Sequence, residues 1–548
     1  MTPCPTMASV LSTSTQHERK RRLVRDQTMA TSARPVATDP GRRLHQRSHE
    51  GRHVTVPASR RYETRANLPR KIQTPQGEPV THLDFMPDAV ADDADYRTTA
   101  GQHLWRHFAE MAEAERTPLK VITRGEGSYL FDTDGNRYLD AVSNLFCVNL
   151  GYSYGEELGQ AALDQYRQLG YHSNWTTTHP RAIELAARLA ELAPDDLNHV
   201  FLTPSGGESV EAAWKIARQF YQLRGENRWK AIARDMAYHG TTLGALSLGG
   251  IHRMRSPFEP LVPAVAHARS TARAGRPAGE SEEDFTAFLL DDLEQRIVSE
   301  DPSTVAMIIL EPIQNHGGSL TPPNGYFAGI RALADKYGIL LVSDETITAF
   351  GRVGEWFGST RFDFTPDIIT TAKGLSSAHA VIGAVIVNNR VYEPFSEKGV
   401  SLQHGNTFGG HPVMAAVALK NLEIMERLQI PEQVRAKENS LRTSLESLRD
   451  LEIVSDVRGA GFFWSVELTG TDTNGSPLSQ PQRDRLFARP HLAGALEDLG
   501  ILTRVSLDSV NPIICVSPPL VAEDQEFTLI RNALAKVLSE IDSTRKSL

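Results

Sequence analysis

The sequence predicts an α/β fold: a mainly parallel sheet covered by helices on both faces, with a smaller α+β domain after it. Three observations carry that expectation. Short apolar, β-branched runs recur at residues 199–203, 230–233, 305–310, 339–343, 368–371 and 382–387. Amphipathic stretches separate them, and strands that alternate with helices pair in parallel with both faces covered. The chain has 548 residues, enough for two or more domains and a large core.

Composition narrows the class. Hydrophobic residues make up 40% and charged residues 23%, the balance of a globular protein in water. No apolar run approaches the ~20 residues a membrane helix needs, so no membrane partner is expected. Cys4, Cys147 and Cys515 fit no metal or redox spacing. So few cysteines suit a reducing compartment, and the cytoplasm is the expected one. Net charge is −9, unevenly spread. Residues 1–71 hold 15 Lys+Arg against 5 Asp+Glu, leaving the rest near −19. An acidic body argues against nucleic acid as a partner.

In chain order, residues 1–90 read as a disordered basic extension, rich in Arg, Ser, Thr and Pro and without period. An organellar transit peptide, a phosphate-binding or nuclear patch, and a start at Met29 or Met86 are its other readings. Residues 91–159 read as an N-terminal segment of the small domain. Within it, 129–132 and 137–140 flank Thr133-Asp134-Gly135-Asn136, a β-hairpin signature. Residues 160–415 read as the large domain, and 416–548 as the C-terminal small domain. A Gly-, Pro- and charge-rich surface insertion is expected near 272–283.

Ligands in such folds bind beyond the carboxyl ends of the strands. Two of those ends carry chemistry. The 368–371 run leads to Ala372-Lys373-Gly374, and the 339–343 run to Asp344-Glu345. A lysine amine that forms a Schiff base and an acid that keeps a ring nitrogen protonated are what pyridoxal phosphate chemistry requires. Each alone has an ordinary reading, as a surface amine or a helix N-cap. The pair gains weight from Phe201-Leu202-Thr203-Pro204-Ser205-Gly206-Gly207-Glu208. There a strand and glycine turn precede a helix with Val210, Ala213, Trp214, Ala217, Phe220 and Tyr221 on one face. Such a helix N-terminus offers free N–H groups to a phosphate, though an ordinary glycine turn has the same pattern. It is not a Walker A loop. Tyr238, in Ala237-Tyr238-His239-Gly240, can stack on a ring or serve as a core aromatic. Glu311-Pro312-Ile313-Gln314 ends another strand. Arg504 lies in an apolar context and calls for a carboxylate partner.

Taken together, these residues resemble the class III pyridoxal-phosphate aminotransferases of fold type I. The resemblance covers about residues 100–535. It adds Phe350-Gly351-Arg352, Asn406-Thr407-Phe408-Gly409-Gly410-His411-Pro412 and Arg458-Gly459 to the motifs above. Leu145-Phe146-Cys147-Val148-Asn149-Leu150-Gly151-Tyr152, Thr177-Thr178-His179-Pro180, Trp356-Phe357-Gly358, Gly374-Leu375-Ser376-Ser377 and Val516-Ser517-Pro518-Pro519-Leu520 point to its ω-amino acid or amine:pyruvate branch.

The resemblance implies a seven-stranded sheet in the large domain and the following roles. Lys373 binds the cofactor and shuttles the proton, and Asp344 pairs with the pyridinium. Tyr238 stacks on the ring. Gly206 and Gly207 hold phosphate, with Ser205, His239, Glu311 and Thr346 also around the cofactor. Gln314 lies near the ring oxygen. Thr407 reaches the phosphate of the neighbouring subunit, which makes a homodimer, or a tetramer built from it, the catalytic form. Phe146 and Trp175 wall the substrate pocket, and Arg504 binds a substrate carboxylate. No metal is implied.

The expected reaction is ping-pong transfer of an amino group from an ω-amino acid or amine to pyruvate or 2-oxoglutarate. Decarboxylase, racemase, aminomutase and phospho-lyase relatives share the same motifs, and a catalytically idle cofactor-binding homologue is a further alternative. The chain also departs from the family. Gly207 stands where Ser or Thr is usual, and Thr346 where Val is usual. Asn174, Asn315, His316 and 378–381 also differ from the common pattern.

Overall fold

A computed structural model describes residues 93–111, 119–273, 279–507 and 511–548. The basic extension expected over 1–90 lies outside them, as does the middle of the insertion near 272–283. Strands near the N-terminal side are β1 (Ile122–Glu126), β2 (Tyr129–Asp132) and β3 (Arg137–Asp140). β2 and β3 form the expected hairpin, with Leu130 opposite Tyr138. Asp132 ties its turn by accepting the Asn136 N–H (2.8 Å) and the Tyr138 hydroxyl (2.8 Å).

The central strands are β4 (Leu197–Thr203), β5 (Lys230–Arg234), β6 (Val265–Ala268), β7 (Val305–Leu310), β8 (Leu340–Asp344), β9 (Ile368–Thr371) and β10 (Gly383–Asn388). They make one sheet in the order β4-β10-β9-β8-β7-β5-β6. β10 is antiparallel to both its neighbours, and the remaining pairings are parallel. The mainly parallel sheet is therefore present, with the seventh strand, β6, beyond the six runs read from sequence. Later strands are β11 (Val454–Ala460), β12 (Phe463–Leu468), β13 (Ile501–Leu502), β14 (Arg504–Ser506) and β15 (Ile513–Val516). β13 pairs in parallel with β3, so an early and a late segment share one sheet. A third sheet runs β11-β12-β15-β14.

The inner strand β7 is apolar and buried throughout because helices cover both faces of the sheet. Along β8, Leu340 and Val342 pack with the helix Gly206–Leu223, while Leu341 packs with the helices Glu282–Ser299 and Tyr326–Tyr337. That alternation is the period of two that a strand imposes. It leaves the carboxyl ends of β8 and β9 as the places where polar side chains leave the sheet together. Among the described residues no helix is long and apolar enough to cross a membrane.

Candidate active site

Asp344 is the last residue of β8 and is buried. Its Oδ1 accepts from the Thr346 hydroxyl (2.6 Å), the Thr346 N–H (3.2 Å) and the Thr370 hydroxyl (3.1 Å). Its Oδ2 accepts from His239 Nδ1 (2.8 Å), the direction an ionised carboxylate requires. Burial pushes this carboxyl upward. The hydrogen bond and charge of His239 and the bonds from Thr346 outweigh it, and hold Asp344 below the usual carboxylate range. The protein has built a carboxylate that stays charged in a dry place.

Lys373 stands two residues beyond β9, in a short turn, Lys373–Leu375. Its φ of +40° is in the left-handed region, which costs a non-glycine residue about 1 kcal/mol or more. Buried Asn421 holds the turn by donating to the carbonyls of Gly374 (3.0 Å) and Leu375 (3.0 Å). The amine makes no hydrogen bond or ion pair with any described residue. Burial pulls its pKa below the usual lysine range, against the fields of Cys147, Asp344 and Glu311.

Asp344 and Lys373 line one cavity of about 240 Å³, together with Ser205, Gly206, Gly207, Tyr238, His239, Glu311 and Thr346. Gly206 and Gly207 open the 18-residue helix Gly206–Leu223. The Ser205 hydroxyl caps it by accepting the Glu208 N–H (3.3 Å), which leaves the first glycine N–H groups free toward the cavity. Backbone approaches closely here. A Cβ on Gly240, at φ +124°, would lie 2.9 Å from the Gly207 Cα. Glu311 organises the opposite wall by accepting the N–H of Tyr238 (3.2 Å) and of Asn315 (2.9 Å), and burial raises its pKa.

Several expected residues stand apart from this cavity within the chain. Gln314 is buried, and its amide donates to the Asp235 carbonyl (2.9 Å). Phe146 is buried against Phe463, with ring centroids 5.5 Å apart. Trp175 is 69% exposed, and a Cβ on Gly405 would lie 3.3 Å from its ring. The segment carrying it lies along 405–410 and not over the cavity: Tyr171 donates to the Thr407 carbonyl (2.8 Å) and Asn174 to that of Gly409 (2.9 Å). Thr407 is exposed. Arg504, exposed at the start of β14, has no ion-pair partner among the described residues, yet its charge acts on Lys373 and Tyr238. Reading the sequence missed Thr370, Ile313, Ile347 and Thr348. Only the pairing of Asp344 with Thr370 across β8 and β9 reveals Thr370.

A parallel sheet with a lysine and an ionised acid at adjacent strand ends, facing a helix N-terminus, defines a pyridoxal-phosphate enzyme of fold type I. The residues fit that cofactor. Among the described residues His239 Nε2 is buried without a partner and the lysine amine is unpaired, and a Cβ on Gly206 would lie 3.0 Å from Thr346, so the glycine lets the helix N-terminus approach the acid's neighbour closely. The family model for class III aminotransferases matches residues 110–538. A probable aminotransferase of Mycobacterium tuberculosis is 43% identical over 82% of this chain and 95% of its own. A putrescine–pyruvate aminotransferase of Pseudomonas aeruginosa is 33% identical over 82% and 97%. The structure of an (S)-enantioselective ω-transaminase from Thermomicrobium roseum superposes with a TM-score of 0.78 at 35% identity, covering 82% of this chain and 99% of that one. The chain belongs to the class III aminotransferase family, and it is a pyridoxal-phosphate-dependent enzyme of amino-group transfer.

Proposed function

We propose that the protein is a transaminase that takes nitrogen from an ω-amino acid or amine and gives it to a keto acid, pyruvate or 2-oxoglutarate, in two half-reactions. One observation carries this reading: a lysine amine that is unpaired among the described residues and less basic than usual shares a cavity with a carboxylate built to remain ionised. A putrescine–pyruvate aminotransferase among the relatives supports an amine donor and a keto-acid acceptor.

Bound pyridoxal phosphate supplies a carbonyl for amines and a ring that accepts electrons. Gly206, Gly207 and Ser205 would hold its phosphate at the helix N-terminus. Asp344 would keep a proton on the ring nitrogen, and Tyr238 and His239 would contact the ring. Lys373, neutral at lower pH than an ordinary lysine, takes the proton from the substrate carbon and returns it elsewhere. Arg504 receives the substrate carboxylate. Trp175 and Thr407 serve the site of a second copy, so the working form is a homodimer or a tetramer built from it. Few cysteines support the cytoplasm as its compartment.

The test is the visible spectrum of the cofactor-loaded protein, before and after amine donors are added without acceptor. Loss of the lysine-bound band, reversed by pyruvate or 2-oxoglutarate, is the expected result, and Lys373→Ala lacks both band and turnover. A band that persists while the donor loses CO2, inverts or eliminates assigns the protein to another reaction.

A further inference from the structure

We propose that Thr346 is a positioning residue that, through Asp344, sets how firmly the protein holds a proton on the ring nitrogen of bound pyridoxal phosphate. The inference rests on the assignment of Asp344 to that nitrogen.

Thr346 makes two of the four hydrogen bonds this carboxylate accepts. Its hydroxyl donates to Asp344 Oδ1 at 2.6 Å, and its own N–H reaches the same oxygen at 3.2 Å. Thr370 adds a longer bond to that oxygen (3.1 Å), and His239 occupies the other one. The side chain has little freedom to do otherwise. It lines the cavity, and its methyl and hydroxyl lie 3.0 and 3.2 Å from where a Cβ on Gly206 would be, so the side chain rests against the phosphate cradle while its hydroxyl also bonds the acid. A β-branched side chain is stiff at χ1, and turning the hydroxyl away would move the methyl as well. One residue thus touches both ends of the cofactor site.

The chemical consequence follows from hydrogen bonding to an ion. Each donor on a carboxylate makes it a weaker base. A weak base facing the ring leaves the proton on the ring nitrogen, where it draws electrons. Remove the hydroxyl and Asp344 becomes a stronger base. It pulls the proton toward itself, and the ring withdraws electrons less. A nitrogen attached to that ring system then keeps its own proton to higher pH. The charged and titratable groups around the acid are His239, Glu311, Lys373 and Tyr238, and none of them changes when only Thr346 is altered.

Thr346→Val is nearly isosteric. It keeps the methyl against Gly206 and deletes the donor, while Thr346→Ser keeps the donor. The experiment is a pH titration of the visible absorbance of the cofactor-loaded protein, with Asp344→Asn as reference. The expected midpoint in Thr346→Val is higher than in the unaltered protein by about half a pH unit or more, with Thr346→Ser near the unaltered value. A midpoint moved by Asp344→Asn but not by Thr346→Val overturns the proposal while leaving the site intact. Equal shifts in the Val and Ser variants assign the effect to packing and overturn the role of the hydroxyl. A midpoint that Asp344→Asn also leaves in place removes Asp344 from the ring nitrogen, and this proposal with it.

Discussion

Arg504 is a cation that no described residue neutralises. It is exposed, it makes no ion pair among the described residues, and its field reaches Lys373 and Tyr238. A charge-assisted bond to a carboxylate is worth about 1.5–3 kcal/mol, or roughly 10- to 150-fold in binding. Arg504→Ala should therefore lower kcat/KM for keto acids and ω-amino acids by roughly 10- to 100-fold, and change simple amines by less than about threefold. Steady-state kinetics on matched donors with and without a carboxylate check this; equal losses would remove Arg504 from carboxylate binding. At this scale the sequence was informative where chemistry sits at strand ends. Lys373, Asp344 and Glu311 each follow an apolar run, and all three line the cavity. Thr370 was not legible, since its bond to Asp344 depends on the register of two strands 26 residues apart. That Trp175 stands beside 405–410 was not legible either, because only the fold lays 171–175 along that loop.

At the scale of elements, a buried arginine joins pieces far apart in the chain. Arg352 is fully buried, and burial lowers its pKa. It donates to Ser143 Oγ (3.0 Å), Asn149 Oδ1 (2.9 Å), the Phe462 carbonyl (3.2 Å) and the Pro518 carbonyl (2.6 Å). The segment it holds is strained: Ser143, Asn144 and Phe146 have φ of +47°, +60° and +61°. Such backbone persists where its surroundings fix it. Arg352→Leu leaves buried acceptors without donors, at about 1–3 kcal/mol each. It should lower Tm by roughly 5 °C or more, with Arg352→Lys between it and the unaltered protein. Thermal unfolding followed by circular dichroism checks this, and a Tm within about 1 °C would show that water replaces the guanidinium. The sequence offered Phe350-Gly351-Arg352 as a motif without its purpose, because a hub is defined by its distant partners. It also hid β6. Four residues, Val265-Ala266-His267-Ala268, at a sheet edge need no continuous apolar run, whereas β7 and β8, covered on both faces, do.

For the molecule as a whole, the question is what covers its exposed apolar surface. Tyr171 and Phe408 meet edge-on with centroids 6.1 Å apart, and Phe408 is 62% exposed. Trp175 stands beside the same loop, next to Gly405, and Thr407 is part of it. Contiguous aromatic surface of this kind marks an interface. The occupant proposed above, a second copy, would also give Thr407 and Trp175 a site to serve, and a two-fold pair is the simplest closed assembly. Charge opposes it, because residues 72–548 carry about −19 and like-charged bodies repel. Apolar contact must offset that repulsion, and salt that screens it should strengthen pairing. Sedimentation velocity should therefore show a dimer or a multiple of it, with any dissociation favoured at low salt and dilution. Phe408→Glu adds a charge to each half of the contact, so it should yield monomer and weaken cofactor retention by about tenfold, one lost phosphate contact being worth about 1.4 kcal/mol. Equilibrium dialysis against cofactor, run beside the sedimentation, reads both effects. A fully active monomer would detach Thr407 from the site altogether, and an undisturbed Phe408→Glu dimer would move the contact to another face.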